Sequence, residues 1–392
     1  MPEQSTIKLD RIESARPDPN RSNPSGRSPD RMNPEGVNPN RADRFKVKKL
    51  GHIVEDGEML WLISSGAEIS FRVWDARHLY FRLRADDTVL DSEKEPQLPR
   101  FAVRMDGQKV MDARMTATDA MVTIFNGSEK LDTEIRLIKL SEGTQSLMAL
   151  REIITDGQIE PLPPKKLKIE FIGDSITCGF GVEGKSEEEP FTTATENAEK
   201  AYALLTAQAL DADAVLTCFS GHGIVSGYTD DPAVQNTTSL VPPWYEKECH
   251  SDFRLPSGRT AGQIRRDFSA FQPDYIVVNL GTNDLSWCKE NSWRCGLFQA
   301  GYVYFLKMVR RNNPKARILC TLGLMGTGLN SRMQAAAEEY CRETGDGQIR
   351  LLMLEEQNAA RDGYGSLFHP NEITQRLMAG KVTEAIRTWM RK

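Results

Sequence analysis

The chain is poor in histidine and has no paired-cysteine motif, no long apolar run and no surplus of either charge. Each shortage excludes a class of function. Fifty Lys and Arg stand against 55 Asp and Glu, a formal net charge of -5. Without a basic surplus there is little to hold a phosphate backbone, so nucleic acid is not an expected partner. No segment approaches the ~20 consecutive apolar residues that a membrane-crossing helix needs, and no membrane partner is expected. Seven cysteines (Cys178, Cys218, Cys249, Cys288, Cys295, Cys320 and Cys341) show no Cys-x-x-Cys spacing. A zinc site is therefore not expected, and neither a metal nor a cofactor is called for. Cys288 and Cys295 would pair only if the loop between them folds back. The amino terminus, Met1-Pro2-Glu3-Gln4-Ser5-Thr6, has neither the charged region nor the apolar stretch of an export signal. Unpaired thiols without such a signal make a cytoplasmic location the expectation.

At 392 residues the chain exceeds the usual size of one core, so two domains are expected. Residues 1–44 repeat Asn-Pro and Ser-Pro steps among mixed charges, a composition that cannot offset its ordering entropy, and read as a disordered tail. Over 45–160 short runs alternate polar and apolar residues, as in Glu68-Ile69-Ser70-Phe71-Arg72-Val73-Trp74. Turns such as Asp106-Gly107 separate them, and the pattern predicts a β-sandwich. Pro161-Leu162-Pro163-Pro164 makes a stiff boundary. Over 165–392 strands alternate with helices, including helices near 198–210, 260–270, 297–312, 331–344 and 371–391. Such alternation predicts a parallel sheet covered on both faces.

Three junctions in this second half carry chemistry. Lys168-Ile169-Glu170-Phe171-Ile172 runs into Gly173-Asp174-Ser175-Ile176-Thr177, which places Ser175 at the carboxyl edge of a buried strand, where ligands bind in open α/β sheets. Alone, such a Ser also fits a helix N-cap. Tyr275-Ile276-Val277-Val278-Asn279-Leu280 leads to Gly281-Thr282-Asn283-Asp284 and puts Asn283, an uncharged amide donor, on the same edge. Phe368-His369-Pro370-Asn371 precedes the last helix. Pro at a helix start leaves His369 on the loop before it, available as a base for a serine nucleophile. Among the five histidines, His222 is the competing candidate.

Ser175, Asn283 and His369 in this order resemble the SGNH (GDSL-like) hydrolases. The superfamily's glycine block matches Phe219-Ser220-Gly221-His222-Gly223-Ile224, where the oxyanion-hole glycine aligns with Gly223, Gly221 being the fallback. The run from Phe171 to Val182, with Ser220-Gly221-His222-Gly223, resembles carbohydrate esterase family 2. That resemblance implies a jelly-roll domain followed by a flavodoxin-like SGNH domain. It also implies an O-acetyl esterase acting on acetylated oligosaccharides of xylan or mannan type. Ser175 would be the nucleophile and His369 the base. Ser175, Gly223 and Asn283 would form the oxyanion hole, and Trp287 and His222 would touch the sugar. One departure stands out: relatives carry an Asp shortly before the His, where this chain has Ser366 and Leu367. Either Asp362 loops back, or a backbone carbonyl orients His369 in a Ser–His dyad, and the dyad is the preferred expectation. The alternatives are a lipase- or thioesterase-like hydrolase on the same scaffold and a carbohydrate-binding protein with a decayed site.

Overall fold

The computed structural model describes residues 46–391, so the expected tail, 1–44, lies outside the described residues. The first part is antiparallel. Its strands are β1 (Lys48–Leu50), β2 (Ile53–Asp56), β3 (Met59–Leu62), β4 (Glu68–Ala85), β5 (Arg100–Met105), β6 (Gln108–Arg114), β7 (Asp119–Lys139), β8 (Met148–Thr155) and β9 (Gln158–Pro161). They belong to one sheet ordered β2-β3-β8-β4-β7-β5-β6, with β1 and β9 also on β4. The sheet curls because β4 and β7 are long and change partners along their length. Register shifts between Val73 and Tyr80 bend β4. Ile69, Phe71, Val73, Leu79, Phe81 and Leu83 keep one face of that strand in the enclosed core.

The second part is the alternating one. Strands β10 (Leu167–Gly173), β11 (Ala212–Cys218), β12 (Tyr275–Asn279), β13 (Arg317–Leu322) and β14 (Ile349–Met353) form a parallel sheet. Their order is β11-β10-β12-β13-β14, the doubly wound 2-1-3-4-5 pattern. The helices are α1 (Ser175–Cys178), α2 (Tyr202–Ala209), α3 (Pro242–Tyr245), α4 (Thr282–Cys288), α5 (Ser292–Asn312), α6 (Asn330–Thr344), α7 (Ala359–Asp362) and α8 (Glu372–Met390). Ile169 and Phe171 of β10 pack toward α2 and α8, whereas Ile172 joins a core shared with Trp61 and Ile63 of β3 and its flank. That core runs across the seam, so the two sheets bury apolar surface against each other. None of the described helices is long and apolar enough to cross a membrane.

The helix expected near 260–270 does not form, and only a short 3-10 turn, Ala261–Gln263, appears there. Tertiary pairing overrides the local pattern. Arg266 is buried and its Nη1 donates to Glu170 Oε1 of β10 at 2.6 Å, while its N–H donates to the Glu246 carbonyl. A helix there would withdraw the guanidinium and strand Glu170 inside the sheet. All seven cysteines are unpaired, and the Cys288 and Cys295 thiols donate to the Arg294 and Lys289 carbonyls.

Candidate active site

Strand order places the nucleophile candidate between two donor loops. β10 lies between β11 and β12, so Ser175, entering α1 from β10, is flanked by the loop after β11 and by Asn283 at the start of α4. Asp174 caps α1, its Oδ1 accepting the Ile176 N–H at 3.0 Å. Among the described residues, the Ser175 N–H has no acceptor, and it points out of the first turn of that helix.

His369 arrives from the far end of the chain because α8 docks on α2. The Gln375 side chain accepts the Tyr202 N–H and donates to the Ile176 carbonyl, tying α8 to both elements. His369 Nε2 lies 2.9 Å from Ser175 Oγ. Its Nδ1 faces the carbonyls of Leu367 at 2.9 Å and Ser366 at 3.2 Å. A carbonyl only accepts, so Nδ1 carries the hydrogen and Nε2 is the acceptor for the Ser175 hydroxyl. This orientation depends on unusual backbone: Leu367 and Phe368 have φ of 50° and 62°, a left-handed pair without glycine. Asp362 does not reach the imidazole and instead makes a two-pronged pair with Arg361 at 2.7 and 2.6 Å. Burial pushes His369 down to about 4, opposed by the two carbonyls and by Glu142. Phe180, itself stacked on Phe191, packs on the imidazole with ring centroids 4.3 Å apart.

The two glycines of the loop after β11 differ in what their N–H groups meet. Gly223 N–H is committed to the Ser239 carbonyl at 3.1 Å, and its Cα faces Ser226 and Asp284 so closely that no side chain fits. Gly223 is therefore a packing glycine. Gly221, at φ 76°, has an N–H without an acceptor among the described residues and open space around its Cα. Asn283 Nδ2 donates to the His222 carbonyl at 2.8 Å, and its second hydrogen faces Asp174 Oδ2 at 3.4 Å. Asp284 Oδ1 accepts the Val225 N–H at 2.7 Å and the Ser226 N–H at 3.0 Å, holding the loop from behind. Burial lifts Asp174 to about 7 and Asp284 to about 6.

Neither expected sugar contact is free to serve. Trp287 is only 4% exposed and packs in the seam core, with the Arg294 guanidinium 5.1 Å from its ring. His222 has both ring nitrogens engaged: Nδ1 faces the Ser220 carbonyl at 2.9 Å and Nε2 faces His250 Nδ1 at 2.6 Å. Burial pushes His222 down to about 4. His250 in turn stacks on Trp244 with ring centroids 4.1 Å apart. Sequence reasoning missed the parts played by His250, Phe180 and Glu142. Only the nearness of His222 to the glycine block hinted at this cluster.

The arrangement can deprotonate a serine hydroxyl and present N–H groups to an oxygen beside it. The GDSL-like Lipase/Acylhydrolase family matches over residues 171–377, more than half of the chain. Cellulase/esterase CelE of Acetivibrio thermocellus is 33% identical over 73% of this chain, and the match spans 34% of CelE. An acetylxylan esterase / glucomannan deacetylase of Cellvibrio japonicus is 28% identical over 74% of this chain and 76% of that protein. The structure of a family two carbohydrate esterase from Clostridium thermocellum, in complex with cellohexaose, superposes with a TM-score of 0.73. It is 27% identical and the superposition covers 88% of this chain and 98% of that one. With these relatives, and with a match that begins in the strand leading to Ser175, the chain belongs to the GDSL-like lipase/acylhydrolase family.

Proposed function

We propose that the chain is a serine esterase that removes O-acetyl groups from acetylated oligosaccharides of xylan or mannan type through an acetyl-enzyme. The observation that carries this reading is the 2.9 Å contact between Ser175 Oγ and His369 Nε2, with Nδ1 held by the Leu367 carbonyl. His369 takes the Ser175 proton as Oγ attacks the acetyl carbonyl. The Ser175 and Gly221 N–H groups hold the oxyanion, joined by the Asn283 amide as its hydrogen leaves the long 3.4 Å contact with Asp174 Oδ2. His369 then protonates the sugar alkoxide as its C–O bond breaks, and water repeats the cycle on the acetyl-enzyme. The scheme uses no metal or cofactor. The family two relatives support the acetylated-sugar substrate, and the short Ser–His contact weighs against a binder with a decayed site.

In this reading the chain divides into a β domain over 45–160, its curled sheet taken as a jelly roll, and an esterase domain over 165–392. The seven unpaired thiols support a cytoplasmic location. The test is acetate release from acetylated xylo- and manno-oligosaccharides, set beside short- and long-chain p-nitrophenyl esters. Faster turnover of long acyl chains, with no acetate released from the sugars, would replace this reading with a lipase-like one.

A further inference from the structure

The peptide joining Ser220 to Gly221 carries two groups of opposite fate. Its carbonyl accepts the His222 Nδ1–H at 2.9 Å, and its N–H, on Gly221, is one of the hole donors proposed above. In a trans peptide these two groups point in opposite directions. Whatever holds the carbonyl therefore aims the N–H. The need for a hold is real, because Gly221 at φ 76° has no side chain to resist rotation of this peptide.

The preceding peptide is anchored as well, and from the other sheet. Glu142 lies in the connection between β7 and β8 and is fully buried. Its Oε2 accepts the Ser220 N–H at 2.9 Å and faces the Cys178 thiol of α1 at 3.7 Å. Its own N–H donates to Glu196 Oε1 at 3.1 Å. Burial, with Glu142 beside it, lifts Glu196 far above the usual carboxylate range. His222 is locked in turn. With Nδ1–H on a carbonyl, its Nε2 must accept from His250 Nδ1–H, and His250 lies flat on Trp244.

We propose that Glu142 and His222 are positioning residues that hold the Ser220–Gly221 peptide with its N–H aimed into the oxyanion hole. The antiparallel sheet thereby takes part in catalysis through Glu142, and His222 acts on the hole rather than on the sugar. This rests on the esterase reading, and the test separates the two. The variants are His222→Ala, His222→Asn, Glu142→Ala, Glu142→Gln and Glu142→Asp in the full chain. Each is assayed on p-nitrophenyl acetate, which has no sugar, and on an acetylated xylo-oligosaccharide, with the rate of Ser175 labelling by a fluorophosphonate measured alongside.

Both Ala variants are expected to lower kcat about 10- to 100-fold on both substrates, with KM within about twofold, as for loss of a transition-state donor. Labelling slows in parallel. Asn keeps an N–H near the Nδ1 position and Gln keeps an acceptor oxygen, so both restore most of kcat. If Glu142→Ala fails to fold, Glu142→Asp carries the test, since drawing the carboxyl back by one methylene should lower kcat and spare KM. Unchanged kcat in the folded variants, no rescue by Asn or Gln, or a KM rise confined to the sugar substrate would each overturn the proposal. If the wild type is labelled but releases no acetate, the substrate reading fails, and the labelling rates still decide the positioning roles.

Discussion

Acid sensitivity tests how the imidazole is held. Burial pushes His369 down to about 4 from an ordinary value near 6.5. With a value of about 4, about 90% of the enzyme still carries a neutral base at pH 5. An ordinary imidazole would leave only about 3% neutral at that pH, a difference of roughly thirtyfold in rate. The assay is kcat/KM for an uncharged acetyl ester between pH 4 and 8, read as released acetate, in which the limb belongs to free enzyme. The account predicts a plateau down to about pH 5 and half-maximal activity near pH 4. Stability runs as a separate matter. The depressed His369 and His222 make the unfolded chain bind protons first, so their contribution declines as pH falls from 6.5 toward 4. Asp174 and Asp284, raised to about 7 and about 6, work the other way: the folded state regains stability as pH falls through those values. The activity limb, not the melting temperature, is therefore the discriminating quantity. A half-point near 6.5 would show that the imidazole is solvated, and the reasoning from its burial would be wrong.

Asn283→Ala should lower kcat about 10²- to 10³-fold with KM nearly constant, measured on p-nitrophenyl acetate, because the amide is used chiefly in the transition state. A rise in KM alone would make Asn283 a substrate contact. Asp362→Asn should cost less than about tenfold in kcat, far below the ~10⁴ that follows replacement of a triad Asp, since backbone carbonyls orient His369. A loss of triad size would mean that the carboxyl reaches the imidazole during turnover. Arg266→Met should destabilise the chain by about 3–5 kcal/mol in urea unfolding, because it leaves Glu170 buried and unpaired in the sheet. Unchanged stability would show that Glu170 finds another partner.

The parallel sheet was readable because its strands are short apolar runs ended by polar turns, and those turns carry Ser175 and Asn283. What escaped the sequence depends on contacts between distant segments. Nothing local distinguishes Gly221 from Gly223; only the Ser239 carbonyl, brought over by the loop, removes Gly223 from the choice. Trp287 looked like a loop aromatic because it follows the polar turn closely, yet it lies inside α4, and the seam core covers its ring. Leu367 and Phe368 are residue types that avoid left-handed backbone, so the turn that delivers a carbonyl to His369 left no compositional trace. Glu142 stands in a plain polar connection, and its role follows only from how the curled sheet meets the loop after β11.

Intact-protein mass spectrometry after exposure to a fluorophosphonate tests the central claim most directly. The account predicts one adduct per chain, mapped by peptide analysis to Ser175, absent in Ser175→Ala and strongly slowed in His369→Ala, with both variants folded. No adduct on the folded wild type, or an adduct on another residue, would contradict Ser175 as the nucleophile of a Ser–His dyad.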